Sequence, residues 1–228
     1  MMNKLMVLLK ASFLQLRIYL LCITGIVALN VIASVIVYLS LGGEHEDDVS
    51  VANLFTIFLI FVASVLPVSF FKRIINLGAS RKEYYVGVLI IYTIWSAVFS
   101  LFNILWLQIE IGIIQKYEHT LNILEIFHWD QFGLVGMFVY QFGAYMMLMS
   151  LLNLLFSGLR HFVGWIIWAL LIAAIPIGTS LPSLRPKVAE GFLTLLFNDS
   201  LLQGFGLTFL FSCIFLAGGW LFTRRRTI

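Results

Sequence analysis

Six long apolar runs divide the chain, near residues 18–41, 53–71, 84–109, 132–156, 162–180 and 201–222, and none carries a charge near its centre. Each is close to the roughly 20 residues that a helix needs to cross the hydrocarbon core of a bilayer. The runs do not alternate polar and apolar positions, as the strands of a membrane barrel do. A helix, by contrast, satisfies its own backbone hydrogen bonds in lipid. The pattern therefore predicts an all-α, polytopic membrane protein with six transmembrane helices in a single transmembrane domain over 1–228. Composition agrees, with 61% hydrophobic and 11% charged residues, against about 45–50% and about 25% in soluble domains. Six spans leave roughly 90 residues for everything else, too few for a nucleotide-binding domain. The run 18–41 is too long for the apolar core of a signal peptide, and no small-x-small site follows it, so it is read as a retained first span.

Charge sets the orientation. Lys4, Lys10, Arg17, Lys72, Arg73, Arg81, Lys82, Arg160, Arg224, Arg225 and Arg226 all fall on one side of this six-span arrangement, and Lys116, Arg185 and Lys187 on the other. The positive-inside rule places the first group, with both termini, in the cytoplasm of a multi-pass cell-membrane protein. Of the acids only Glu83 lies on that side. Cys22 and Cys213 sit inside apolar runs and form no disulfide framework or CxxC pair.

Two cytoplasmic segments carry more than topology. In residues 1–17, Leu5, Met6, Leu9, Phe13 and Leu16 form one helical stripe, with Lys4, Lys10, Gln15 and Arg17 off it. This predicts an N-terminal amphipathic interfacial helix, acting either as an anchor or as a surface for a cytoplasmic partner. Between spans two and three, Gly78 suits the left-handed end of a helix. Ser80, with Glu83 three residues on, suits the capping box of the next. A short basic helix is thus expected to break at Gly78 and restart at Ser80, offering Lys72, Arg73, Arg81 and Lys82 to the cytoplasm. The plainer alternative is a basic loop that only fixes orientation.

The outer segments hold less chemistry. Glu44, His45, Glu46, Asp47 and Asp48 match no EF-hand or zinc spacing and read as a solvated acidic loop. In 110–131 the aromatic and charged mix fits an interface, His119 and His128 read as surface residues, and Glu110 is placed at the membrane edge. Pro176, Gly178, Pro182 and Pro186 interrupt the exit of span five, and Val188, Phe192, Leu195 and Leu196 then predict a short helix. Asn198-Asp199-Ser200 formally matches a glycosylation acceptor and is read as the cap of span six.

No P-loop, G-x-S-x-G or HExxH motif occurs, and no metal site or nucleic-acid partner is indicated. The spans hold only neutral polar groups, which argues against an intramembrane enzyme or an ion-coupled pump. Among these groups Asn30, Asn103, Gln141 and Asn153 are candidates for a substrate path, with interhelical hydrogen bonding as the competing role. A membrane domain without an energy source, carrying a capped basic turn, points to a motor on a separate polypeptide.

The 1–17 helix, the six spans with both ends inside, the Leu77-Gly78-Ala79-Ser80-Arg81-Lys82 turn and the helix between spans five and six together resemble ABC-2 type permeases. These are the membrane subunits of a class of ATP-driven exporters. The resemblance implies an ATPase-coupling element over 72–83, made by Lys72, Arg73, Asn76, Leu77, Gly78, Ser80, Arg81, Lys82 and Glu83. It also implies ABC ATPase subunits as partners, ATP and Mg bound by those subunits and no cofactor on this chain. A second permease, identical or related, would complete the path. The short outer loops are similar to those of compact Gram-positive permeases that export antimicrobial peptides, toxins or drugs, or confer immunity to them. Two alternatives remain open: the substrate-binding membrane subunit of a vitamin importer, and a non-transporting membrane immunity protein.

Overall fold

A computed structural model describes residues 2–41, 48–112 and 120–226. The acidic loop at 42–47, together with Lys116 and His119, lies outside the described residues. The elements are α1 (Met2–Leu41), β1 (Asp48–Val49), α2 (Val51–Val65), a π-helical turn (Leu66–Phe70), α3 (Phe71–Asn76), α4 (Arg81–Gly112), β2 (Thr120–Leu121), α5 (Ile123–Ile126), a 3₁₀ turn (Trp129–Phe132), α6 (Gly133–Gly158), α7 (Phe162–Ser180), α8 (Arg185–Leu196) and α9 (Leu201–Arg225). The fold is all-α apart from a two-residue parallel bridge pairing Asp48 with Thr120 and Val49 with Leu121. Six helical stretches are long and apolar enough to cross a membrane: Met6–Ile36, Val51–Asn76, Arg81–Gly112, Trp129–Gly158, Phe162–Ser180 and Leu201–Arg225. They coincide with the six expected runs, and the chain is a multi-pass membrane protein.

The N-terminal region departs from the expected arrangement. Residues 2–41 form one uninterrupted 40-residue helix rather than an interfacial helix followed by a separate span. Neither glycine nor proline occurs before Gly25, so nothing in the backbone chemistry breaks the helix near Arg17. Its buried line is Leu8, Ser12, Leu16, Ile23 and Val27, whereas Met6 and Phe13, on the expected apolar stripe, are exposed. Docking against α2 and α4 chooses that line. Leu8 sits so close to Gly87 that a Cβ there would lie 2.5 Å from the Leu8 Cδ2.

α2, α4 and α6 form the centre, each burying 44% of its most apolar window, whereas α1 and α7 bury 11% and α9 17%. Between α2 and α4 the contact is aromatic: Phe58 meets Trp95 edge-on at 4.7 Å and Phe99 at 5.5 Å. α6 and α9 approach through small residues instead. A Cβ at Gly143 would lie 2.6 Å from Thr208 Oγ1, and one at Gly219 would lie 2.5 Å from Asn153 Nδ2. Close backbone approach is how helices gain van der Waals contact in lipid, where apolar side chains alone supply no drive.

The turn from α6 to α7 is tighter still, because a Cβ at Gly164 would overlap the Gly158 carbonyl. Backbone cannot yield as a side chain end can. Gly164→Ala is expected to destabilise the protein by about 1–3 kcal/mol, read as a lowered thermal unfolding midpoint in detergent. An unchanged midpoint would show that this turn opens freely.

The helix between spans five and six is present as α8, and none of its residues is buried. Its last carbonyls are held from the bundle, Leu195 O by Tyr140 Oη at 2.9 Å and Leu196 O by Trp129 Nε1 at 2.8 Å. α7 continues through Pro176 to Ser180 and stops just before Pro182. The cap of α9 differs from expectation. Ser200 occupies the N-cap position, but its hydroxyl makes no capping bond; Asn198 Oδ1 accepts from Ser200 N at 2.9 Å instead.

Candidate functional site

Pro67 has no N–H, so the carbonyl of Ala63 one turn earlier loses its helical donor. The chain responds with the wide turn 66–70, where Phe71 N bonds back to Leu66 O. Such π turns concentrate at functional sites. Side chains from elsewhere take up the carbonyls this loosens. Tyr92 Oη reaches Ala63 O at 3.5 Å, and Tyr84 Oη reaches Leu66 O at 2.8 Å. Arg226 Nη1 donates to Pro67 O, and its Nη2 reaches Val68 O at 3.5 Å. Arg226 is 4% exposed, and its guanidinium carbon lies 4.4 Å from the centroid of the Phe71 ring. Burial lowers its pKa from the usual value, and the nearby charge of Arg160 adds to the shift.

Beyond this turn the basic segment folds as expected. α3 ends in a Schellman motif, with Gly78 N on Ile75 O at 2.9 Å and Ala79 N on Ile74 O at 3.3 Å. Gly78 has φ +86°, a conformation costly for residues with a Cβ. α4 then opens with a reciprocal capping box: Ser80 N donates to Glu83 Oε2 at 2.8 Å and Glu83 N donates to Ser80 Oγ at 3.2 Å. Gly78→Val is expected to cost about 1–2 kcal/mol and to displace the turn. Proteolytic nicking at 77–80 should rise in the variant, and wild-type resistance there would count against the strain.

Neighbouring helices brace the turn. Gln15 Nε2 donates to Ser69 Oγ at 2.9 Å, and Arg73 Nη1 donates to Gln15 Oε1 at 3.3 Å. Arg81 Nη1 donates to Arg224 O at 2.7 Å. The structure thus brings together all nine residues expected at 72–83, but in two roles. Arg73, Gly78, Ser80, Arg81 and Glu83 build the elbow. Lys72, Asn76, Leu77 and Lys82 are displayed on it, with Leu77 70% exposed. Gln15, Pro67, Ser69, Phe71, Tyr84 and Arg226 complete the arrangement and were not anticipated. Pro67 within an apolar run was the available signal.

The candidate path residues separate. Asn103, Gln141 and Asn153 are buried along the facing sides of α4 and α6, while Asn30 is exposed on α1 and apart from them. Asn153 Oδ1 accepts from Tyr92 Oη at 3.2 Å, and Gln141 Nε2 donates to Tyr145 Oη at 2.8 Å. Tyr145 Oη also lies 3.1 Å from Thr56 Oγ1 on α2. The Tyr92–Asn153 and Thr56–Tyr145 bonds are interhelical glue of the kind lipid favours, whereas Gln141–Tyr145 lies within α6. These bonds leave Gln141 Oε1, Asn103 Nδ2, Asn153 Nδ2 and Ser100 Oγ buried without a partner among the described residues.

Glu110, expected at the membrane edge, lies near the end of α4 and is covered by the protein. It is 1% exposed, because α4 continues to Gly112 and the segment 120–126 folds across its end. Asn53 pins that segment, donating from Nδ2 to Leu121 O at 2.8 Å and accepting at Oδ1 from Ile123 N at 3.0 Å. His128 is exposed, as expected, and no group of three metal-ligating side chains occurs among the described residues. Comparison with family models, curated proteins and solved structures returns no match.

Proposed function

We propose that this chain is a passive permease subunit of the ABC-2 type, moved by ABC ATPase subunits on separate polypeptides. The observation that supports this best is the elbow at 72–83. It is a basic elbow joining the ends of two candidate spans, stiffened by a Schellman turn and a capping box and tied to α1 and α9. A loop that only fixes orientation needs charge; it does not need braces from two other helices.

In this reading ATP and Mg bind the partner subunits. Their closure presses on Lys72, Leu77 and Lys82, and the braces carry the displacement to α1, α4 and α9. A second permease, identical or related, lines the path with this one. An amphipathic or hydrophobic substrate, whether peptide, toxin, antibiotic or lipid, then leaves the cell. The test is reconstitution. The chain with its co-purifying P-loop ATPase should show substrate-stimulated ATP hydrolysis and vesicle transport. Uphill transport by the chain alone would overturn the proposal.

A further inference from the structure

Around one nitrogen atom at the far end of the seam, the hydrogen bonding does not add up. Asn122 Nδ2 lies 2.8 Å from Glu110 Oε2, 3.1 Å from Asn103 Oδ1 and 3.2 Å from Ser50 Oγ. An amide NH₂ has two hydrogens in one plane, so three oxygens surround a group that serves at most two well. The amide is not reversed, because its Oδ1 accepts from Leu124 N at 3.0 Å. The site is closed to bulk solvent: Ser50 and Asn122 are 0% exposed, and Asn103 and Glu110 are 1% exposed.

Charge is mismatched as well. Glu110 Oε1 accepts from Trp106 Nε1 at 2.8 Å while Oε2 accepts from Asn122. Two N–H donors on two oxygens are the pattern of a carboxylate, yet both donors are neutral. Among the described residues the carboxylate meets only neutral groups, and a buried charge so placed is costly. Asn103 Nδ2, on the same amide that turns its oxygen to Asn122, is buried without a partner among the described residues.

We propose that Ser50 Oγ, Asn103 Oδ1 and Glu110 Oε2 form a binding socket for a primary ammonium group, and that the Asn122 amide plugs it in the state described here. An –NH₃⁺ brings three donors to three oxygens and one positive charge to one carboxylate. Three oxygens are too few for a bare divalent cation such as calcium, which takes six to eight. A quaternary ammonium has no N–H and is too wide for the space of one amide nitrogen. Unplugging needs only a change of the Asn122 side-chain rotamer, since Asn53 holds the backbone on both sides of it. The proposal goes beyond the export reading and does not rest on it.

The test uses the purified full chain in detergent, with methylammonium chloride as the probe and tetramethylammonium and potassium chlorides as controls at equal ionic strength. Asn122→Ser keeps a side-chain cap for Leu124 N while removing the plug. Saturating methylammonium should raise its unfolding midpoint by about 5 °C, and neither control should do so. Asn122→Ser combined with Glu110→Gln should lose the shift. No shift in the single variant, an equal shift with either control, or a shift retained in the double variant would overturn the proposal. The wild-type chain supplies a check that requires no variant to fold. Methylammonium should speed amide hydrogen exchange at Leu124 as the plug releases its N–H, and unchanged exchange there would likewise overturn it.

Discussion

Replacing Lys72 and Lys82 together by glutamate is expected to abolish substrate-stimulated ATP hydrolysis in the reconstituted complex while leaving the chain folded. Both lysines are exposed on the elbow, and neither is among the side chains that build it. Reversing the two charges turns attraction into repulsion against any acidic groove. Each contact at about 4 Å is worth about 1 kcal/mol in water and about 4 kcal/mol near a protein surface. Two reversals therefore remove enough to weaken docking by a factor of about a hundred or more. Reversing Arg73 and Arg81 as well tests something different, because those side chains hold Gln15 and the Arg224 carbonyl. The informative pair of readouts is ATPase stimulation and co-purification of the ATPase. Survival of both in the Lys72→Glu/Lys82→Glu variant would sink the coupling role of this surface.

Arg226→Ala is expected to be the most destabilising single substitution at this end of the bundle. It removes the donors to the Pro67 and Val68 carbonyls and the cation over Phe71. Those carbonyls lie where the helix ladder is already broken by Pro67. Hydrogen bonds to a charged group contribute about 1.5–3 kcal/mol, and losing them in a chain of this length lowers the unfolding midpoint by about 5–10 °C. Arg226→Lys should rescue little, because a point charge does not span two carbonyls as a planar fork does. Arg225 is exposed next to it, so Arg225→Ala should leave the midpoint within a degree or so. Equal midpoints for Arg225→Ala and Arg226→Ala would show that the buried guanidinium contributes nothing.

The contrast between these neighbouring arginines shows where sequence reading stops. The six spans were legible because apolar run length is a local property. So were the break at Gly78 and the box at Ser80 and Glu83, where each partner lies within five residues of the next. The role of Arg226 was not legible. It depends on a contact across 159 positions, and in the sequence the residue is one of three equivalent positive charges. Asn30 and Asn103 are alike in sequence terms, both lone amides in apolar runs, yet one is exposed and the other buried. Only the packing of α4 against α6 distinguishes them. The burial of Glu110 was not legible for a related reason. Its distance from the end of an apolar run was readable, whereas the strap that Asn53 and Asn122 fasten over it was not.

The wide turn at 66–70 fixes an azimuth. A π turn is an α-helix carrying one surplus residue, and each residue advances the helix by about 100°. With that surplus, Phe71 and Ile74 point inward while Lys72 and Arg73 point out. Regularising the turn with the same number of residues would carry everything after it forward by one position, about 100°. Arg73 would then arrive where Ile74 now lies, on the buried face, and Phe71 would be turned out to where Lys72 now points. The direction in which the basic surface looks is therefore set by a counting offset of one.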